Sequence, residues 1–304
     1  MSDVKERLEA IQQEVTQKVI ADLKKYELEG KSPTWIKPWR TDGGNGLPQN
    51  LDGRNYSGIN NLVLLLTKES KGYASDRWGT FKAIKDNGGI VKKGETATPA
   101  FFYKRHLIKK KSENGVVIRD NNGNPMVKNI YFLRYYNVFN ISQTTLKTEV
   151  DLQENLSETE YSGLSELVTC SKAVIDYGYD KACYSVNADR ICMPALRQFR
   201  TEEDYWATLL HEMVHWTGHE SRMDRFKQFS YPTEELIAEL GASFLCAEFN
   251  VDGNLQHSEY IHSWIKEMEG DSKHIFKAAA QASQAHRMIK ALHSEKSSNA
   301  ESAA

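Results

Sequence analysis

One stretch, ATLLHEMVHWTGHESR at positions 207–222, constrains this 304-residue chain more than any other. It places His211 and His215 four residues apart, with Glu212 directly after the first histidine. A four-residue step on a helix advances the chain by about 400°, so the two imidazoles lie one turn apart on one face. Two histidines in that arrangement can bind one Zn²⁺. A helical metal site is therefore the first prediction.

The residues around the histidines favour a helix as well. Thr201 and Asp204 can form a capping box at its start, and Gly218 is placed to end it. On that helix Glu212 points in an adjacent direction, from which it can accept a proton from an attacking water without occupying the metal. The pattern predicts a zinc-dependent metallopeptidase site with Glu212 as general base. Another divalent metal such as Mn²⁺ is the alternative cofactor.

The third metal ligand has to come from outside this helix. Ser221 occupies the position at which one extended version of the motif has a histidine, and His219 comes two residues too early, so His219 is interpreted as a rim residue or a solvated histidine. The segment PTEELIAELGASFL offers Glu235 and Glu239 one turn apart on a second helix. This arrangement resembles a gluzincin site. The resemblance implies that Glu235 is the ligand and Glu239 accepts the N–H of a ligand histidine, with swapped roles left open, and Glu234 is expected to face solvent.

Peptide hydrolysis also needs a hydrogen-bond donor for the developing oxyanion. Proximity along the chain leaves four candidates open: Tyr184, Tyr205, Arg190 and His219. The strand pieces at 184–194 are expected to form a sheet edge that holds a substrate peptide in extended form.

The two halves of the chain differ in charge. Residues 1–150 carry 25 Lys and Arg against 16 Asp and Glu, a net charge of +9, whereas the remainder carries a net charge of −11. Aromatic residues are interleaved with the cations of the basic half, a composition typical of single-stranded DNA binding. The alternatives are that the charge is clustered by chance and that the aromatic residues are core. The candidate DNA contacts are Trp39, Arg40, Arg54, Tyr56, Arg77, Trp78, Lys82, Lys92 and Lys93.

Composition excludes several other classes of protein. Four widely spaced cysteines without a C-x-x-C pair argue against a zinc ribbon and favour reduced thiols in the cytoplasm. No apolar run approaches a membrane span, and the charged N-terminus does not have the pattern of a signal peptide. We therefore expect a cytoplasmic protein that does not contact a membrane.

Hydrophobic periodicity predicts an α+β chain of two domains. The first, 1–145, is predicted to contain helices at 3–28, 59–69 and 75–89 and aromatic-rich strands at 98–108 and 129–141. The second, 155–292, is predicted to be mainly helical with a small sheet, with helices at 163–178, 202–217, 233–249, 257–268 and 272–292. The polar residues 293–304 are predicted to be a disordered tail.

Several linked segments carry a family resemblance: NYSGINNLVLLL, RWGTFKAIKDNGGIVKKGETAT and YYNVFNISQT, followed by the histidine helix and EELIAELGASFLCAE. Together they resemble the ArdC family of antirestriction proteins, whose segments also open some plasmid TraC primases. The resemblance implies an N-terminal domain that binds single-stranded DNA and a C-terminal zincin-like metallopeptidase domain. It also implies carriage on a conjugative plasmid and protection of incoming DNA from host restriction.

Two mechanisms remain open at this point. In one, the metal site cleaves a host protein. In the other, the chain coats DNA and its metal site is structural or vestigial, without proteolysis.

Overall fold

The α+β prediction is confirmed by a computed structural model, which describes residues 2–29, 46–112, 114–120, 122–146, 161–253 and 260–301. Trp39 and Arg40 lie outside these ranges. One sheet has the strand order β1-β2-β4-β3 and the other has the order β5-β7-β6. The strands are β1 (Gln49–Asn50), β2 (Arg77–Thr80), β3 (Thr98–Lys109), β4 (Val127–Asn140), β5 (Val174–Tyr177), β6 (Cys183–Ser185) and β7 (Arg190–Met193).

Eight helices surround these sheets in the part of the chain that the structure describes. Three of them lie close to the limits predicted at 202–217, 233–249 and 257–268, and a fourth begins close to the start predicted at 272. The helices are α1 (Ser2–Glu29), α2 (Ile59–Lys71), α3 (Phe81–Asp86), α4 (Ser162–Ser171), α5 (Glu202–Thr217), α6 (Tyr231–Phe249), α7 (Ile261–Gly270) and α8 (His274–Glu301). Among the described residues, no helix combines the length and the apolar run needed to cross a lipid bilayer.

Helices α5 and α6 pack directly on each other and carry the histidine and glutamate segments. The hydroxyl of Thr201 caps α5 by accepting the N–H of Asp204 at 3.1 Å, which confirms the predicted cap. Gly241 brings the two helices together, since a Cβ at that position would lie 2.8 Å from Cγ2 of Val214 on α5. The absence of a side chain at Gly241 therefore sets how closely α6 approaches α5.

The larger hydrophobic core contains residues from both halves of the sequence. Val19 and Leu23 of α1 and Leu62 of α2 belong to the same buried cluster as Leu210 of α5 and Leu240 of α6. The opposite charges of the two halves therefore do not correspond to two separately packed cores.

The long strands β3 and β4 form an antiparallel arm, residues 98–140, and pair over all twelve residues of β3. Beyond them, the bridges Lys111↔Val117 and Arg119↔Pro125 continue the pairing into the predicted polar excursion. At the base of the arm, the buried Asn60 side chain accepts the N–H of Phe101 at 2.7 Å and donates to its carbonyl at 2.8 Å. These bonds fix the arm to α2.

Three predictions of local structure were wrong or incomplete. Within 75–89, residues 77–80 form a strand that pairs with β4 through residues 78–80, and Thr80 then caps the short helix α3. The helix predicted at 163–178 ends at Ser171, where Lys172 takes a left-handed conformation and β5 follows. Helix α8 continues to Glu301, into the segment predicted to be disordered, because no Gly or Pro interrupts it.

Candidate metal centre

His211 and His215 face the same side of α5, as their spacing predicts. Their Nε2 atoms lie 3.1 Å apart, and both side chains are buried. Two ring nitrogens directed at one point, one turn apart on a helix, are a suitable pair of donors for a single cation.

Glu235 of α6 brings a carboxylate to the same point. Its oxygens lie 3.5 Å from His211 Nε2 and 3.6 Å from His215 Nε2. The ligand atoms of the three residues all fall within 4.8 Å of one another, and all three side chains are buried. Two imidazoles and one carboxylate are the donor set of a three-ligand catalytic zinc site, so the residues present fit a divalent metal.

Glu239 and Glu234 lie behind the two histidines. An oxygen of Glu239, which is fully buried, is 3.9 Å from Nδ1 of His211. An oxygen of Glu234 is 3.2 Å from Nδ1 of His215. Each histidine thus has a carboxylate near the ring nitrogen turned away from the proposed metal, and that of Glu234 is within hydrogen-bond distance of His215, where an acceptor fixes the tautomer.

The position of Glu234 corrects the sequence interpretation, which turned this residue toward solvent. Glu234 is buried and is held by the guanidinium of Arg225, which donates to its two oxygens at 2.6 and 2.7 Å. Arg225 is fully buried and also donates to the carbonyl of Val214 at 2.8 Å. A buried charge needs such a partner, and Arg225 on the connecting loop supplies it. Helical periodicity offers no signal for a residue in a loop.

The charges of the centre shift its pKa values in opposite directions. Burial lowers the pKa of His215, but the carboxylates of Glu234 and Glu235 outweigh it and raise the pKa to about 10. Burial raises the pKa of Glu235, but hydrogen bonds from His211 and His215 outweigh it and leave the pKa below its usual range. Without a metal, the carboxylates therefore hold a proton on His215, and a divalent cation would take the place of that charge.

The centre opens into a cleft of about 850 Å³ that also contains Glu212. The outer strand of the smaller sheet, β6, forms one wall through Cys183 and Tyr184. The first turn of α6 and residue Tyr260 also line the cleft. Glu212, the three candidate ligands and an edge strand are thus found in one cleft.

The four candidate oxyanion donors lie in different places. Tyr184 lines the cleft, but its hydroxyl donates to Asp189 at 2.6 Å. Tyr205 is buried and its hydroxyl meets that of Tyr177 at 3.2 Å. Neither interaction points the hydroxyl at the centre.

The two remaining candidates bond to neighbours away from the ligands. Arg190 donates to Asp176 at 2.6 Å, and Nδ1 of His219 lies 2.8 Å from the hydroxyl of Ser221. Sequence reasoning missed Tyr231, a cleft residue at the start of α6 that is 64% exposed. Its signal was available, because Tyr231 precedes Glu235 by one helical turn.

Two of the predicted DNA contacts are at least partly buried. Trp78 is fully buried in a small cluster with Leu64, Ala100 and Val138, so its interpretation as a stacking residue is wrong. Tyr56 is half-buried and packs against the same cluster. The alternation of Trp78 with charged neighbours comes from its position on β2, where one face is core.

Most of the described Lys and Arg side chains among the predicted DNA contacts are more exposed to solvent than Trp78 and Tyr56. Arg54, Lys82, Lys92 and Lys93 are exposed, and Arg77 is half-buried. Lys92 donates to the carbonyl of Ser142 at 2.9 Å, which holds this exposed chain against the short 3₁₀ helix that follows β4.

Two family models match the chain. The N-terminal domain of anti-restriction factor ArdC matches residues 9–139, and a zincin-like metallopeptidase matches residues 162–281. The chain therefore has two domains of these types, while the limits 1–145 and 155–292 stay predictions.

Related proteins match over most of the chain. Two DNA primases TraC of Escherichia coli are 33% and 31% identical over 89% and 90% of this chain, which spans only 26% and 20% of their length. The uncharacterized protein y4eC of Sinorhizobium fredii is 30% identical, over 90% of this chain and 89% of its own.

Solved structures extend the likeness to three dimensions. The metal-free crystal structure of the antirestriction protein ArdC from plasmid R388 matches with a TM-score of 0.75 and 33% identity, over 93% of this chain and 98% of that one. Its Mn(II)-bound structure matches with a TM-score of 0.72 and 33% identity, over 93% and 97% of the two chains. By fold, sequence and domain content, this chain belongs to the ArdC family of antirestriction proteins.

Proposed function

We propose that this chain is a metal-dependent peptidase that binds single-stranded DNA and protects incoming plasmid DNA from host restriction in the cytoplasm. The observation that carries the peptidase proposal is the convergence of His211, His215 and Glu235 beside Glu212 in an open cleft. A metal site without catalysis would not require a carboxylate base or a groove next to the ligands.

His211, His215 and Glu235 would hold the metal. A bound divalent cation would act as a Lewis acid that polarises a substrate carbonyl and makes a nearby water more acidic. Glu212 accepts the proton of that attacking water and later delivers it to the leaving amine. The carboxylates of Glu234 and Glu239 hold the two imidazoles in orientation.

Tyr231 is the proposed oxyanion donor. It stands one turn before Glu235 and lines the cleft. Burial, the hydroxyl of Tyr260 and the carboxylate of Glu235 all raise the pKa of Tyr231 above its usual range. A hydroxyl that keeps its proton can donate a hydrogen bond to the oxygen on which negative charge develops.

The substrate of the cleft is proposed to be a protein of the host. Strand β6 is the edge of its sheet and lines the cleft, so its outer backbone groups are placed to pair with an extended peptide. Single-stranded DNA is the proposed second partner. The net charge of +9 on residues 1–150 and the match to the ArdC N-terminal domain support it.

A second candidate function is DNA coating with a structural metal. The charge of the centre favours it, because four carboxylates, those of Glu212, Glu234, Glu235 and Glu239, are buried in this part of the fold, and the guanidinium of Arg225 pairs with that of Glu234. A divalent cation would stabilise such a cluster whether or not a peptide is cleaved.

Glu212→Gln separates the two functions, because Gln keeps the shape of the side chain and cannot act as a base. The assay is plasmid transfer into restricting and non-restricting recipients, after calorimetry has established that the variant binds Mn²⁺ or Zn²⁺. Loss of protection in the restricting recipient alone is the expected result. Full protection by a metal-binding Glu212→Gln protein would refute the peptidase mechanism and favour DNA coating.

A further inference from the structure

The arm formed by β3 and β4 has one face that combines aromatic rings with cations. We infer that this face, which we name the outer ribbon, is the surface on which single-stranded DNA stacks; the inference rests on the proposed DNA binding. The outer ribbon consists of Phe102, Lys104, His106, Lys128, Ile130, Phe132, Arg134 and Tyr136. None of these residues was among the DNA contacts predicted from sequence.

The strand register places these residues on one face. Phe102 is directly opposite Arg134, Lys104 is opposite Phe132, and His106 is opposite Ile130. Directly opposed residues of an antiparallel pair point to the same side, and side chains two apart on one strand do too. Each rung in this stretch therefore presents a ring next to a cation or an aliphatic side chain.

The rings of the outer ribbon are ordered and open to solvent. Phe102 and Phe132 are 41% and 45% exposed. The centroids of Phe102 and Tyr136 lie 5.6 Å apart, and those of His106 and Phe132 lie 5.3 Å apart. Removing such rings from water would normally stabilise a fold, so a row of rings left exposed on a paired strand indicates a surface for a partner.

The opposite face of the arm is different near its base. There Phe101 is buried, with its ring 5.1 Å from that of Phe276 on α8, and Leu133 and Tyr135 pack against the main core. The core thus takes the inner face, and the outer ribbon remains as the open face from Tyr136 toward the tip. Tyr56 adds another aromatic ring beside Tyr136 at the base of the outer ribbon. Burial is the largest cause that raises the pKa of Tyr56, and the hydroxyl of Tyr136 raises this pKa further.

Charge determines which partner fits. The segments 102–111 and 127–136 contain seven Lys and Arg and no Asp or Glu. At the tip, Lys109, Lys110, Lys111 and Lys128 line a hollow of about 720 Å³ with Ile108 and Ile118. A polyanion with flat apolar groups satisfies both the cations and the rings, and single-stranded DNA is such a partner because its bases are free to stack.

The length of the outer ribbon sets the expected site size. From Lys128 to Tyr136 the strand rises about 27 Å at roughly 3.4 Å per residue. That length accommodates about four bases at the spacing of same-face side chains, or about eight at the stacked spacing of roughly 3.4 Å. Duplex DNA keeps its bases stacked inside, so the rings would gain nothing from it.

The test uses the full chain and a fluorescein-labelled oligothymidine of about 15 nucleotides, a length at the upper end of known site sizes, followed by fluorescence anisotropy. Phe102→Ala with Phe132→Ala removes two rings of the outer ribbon. The matched control is Tyr103→Ala with Leu107→Ala, which removes two side chains of the inner face that are 63% and 61% exposed. Thermal unfolding of both variants verifies that the arm is intact.

At about 1–3 kcal/mol for each stacked base, loss of two rings should raise the Kd by about 30-fold or more. The control should stay within about threefold of wild type. An oligonucleotide of the same length made of abasic sites should bind wild type and the Phe102→Ala, Phe132→Ala variant equally, because it offers phosphates without bases.

Three results would overturn the inference. Equal losses in both variants, or no loss in either, would place the DNA elsewhere while leaving the proposed DNA binding in force. Binding of anionic lipid vesicles that depends on Phe102 and Phe132, without such dependence for the oligonucleotide, would assign the surface to a membrane. Failure of the wild-type chain to bind any oligothymidine would refute the DNA-binding part of the proposed function itself.

Discussion

The close contact between Gly241 and Val214 predicts that metal affinity depends strongly on how closely α5 and α6 pack. In Gly241→Ala the new Cβ would lie 2.8 and 2.9 Å from the two γ-carbons of Val214. Comfortable carbon contacts are about 3.5–4.0 Å, so the helices must separate locally by roughly 0.7 Å. Val214 is fully buried and stiff at its branched Cβ, and it lies between His211 and His215 on α5. The displacement therefore reaches the ligands.

Two effects of the substitution oppose each other in stability. Replacing Gly by Ala within a helix gains about 1 kcal/mol in the free energy of unfolding, whereas overpacking costs about 1–3 kcal/mol. The net loss is about 0–2 kcal/mol. Metal affinity should respond more strongly, because binding sites tolerate misplacement of only about 0.5 Å. We expect the Kd for Mn²⁺ or Zn²⁺ to rise about 10-fold or more.

The assay is isothermal titration calorimetry with each metal, alongside thermal unfolding of the metal-free chain. Gly163→Ala is the matched control, since Gly163 lies in the first turn of α4 with nothing within 4 Å of the added Cβ. Adding Val214→Ala to Gly241→Ala removes the clash and should restore part of the affinity. If Gly241→Ala binds metal as tightly as Gly163→Ala does, the packing argument is refuted.

Three other predictions concern charge. Glu234→Gln should lower metal affinity about 10–100-fold, because it removes the carboxylate beside His215; calorimetric affinity equal to wild type would contradict this role. The pKa of His215 is raised to about 10 in the fold, so protonated His215 contributes to the free energy of unfolding of the metal-free chain. This contribution is complete below about pH 6.5 and is lost as the pH rises through about 10. Metal binding at pH 8 should therefore release about one proton, seen as a dependence of the binding enthalpy on the buffer, and release should disappear above pH 10. Finally, Lys104→Ala with Arg134→Ala should reduce the slope of log K against log salt for oligothymidine by about 1.4, and an unchanged slope would mean that these two cations do not meet phosphates.

Much of the candidate centre could be predicted because its geometry is local. A spacing of four residues fixes the relative direction of His211 and His215 once a helix forms, and Thr201 and Gly218 mark its limits. The four-residue spacing of Glu235 and Glu239 on a second helix pointed to these two glutamates, and the resemblance to a gluzincin site selected Glu235 as the ligand. The residues of this centre that the sequence revealed are thus helical ones whose partners lie one turn away.

Glu234 shows where that reasoning stops. Glu234 and Glu235 are adjacent on α6, and a single step turns a helix by about 100°. Periodicity alone did not determine that both side chains would be buried, because α6 is surrounded on several sides. The deciding contact is with Arg225, a residue of the loop between the two helices. Loop conformation depends on tertiary packing, which a local pattern does not contain.

The arm also shows a limit of prediction from local patterns. The run NIYFLRYYNVF has the composition of a core strand, and alternation correctly predicts that one of its faces is buried. It does not tell which face, or how far along the strand the core extends. Phe101 and Tyr135 meet the core, whereas Phe102 and Phe132 lie on the other side with Lys104 and Arg134. Both faces also carry cations, and what separates the two sets is which face meets the core at the base of the arm. Cations next to rings are costly to bury without partners, so Lys104 and Arg134 remain where a polyanion can reach them. Cross-strand register, which a single sequence does not provide, was therefore the missing information.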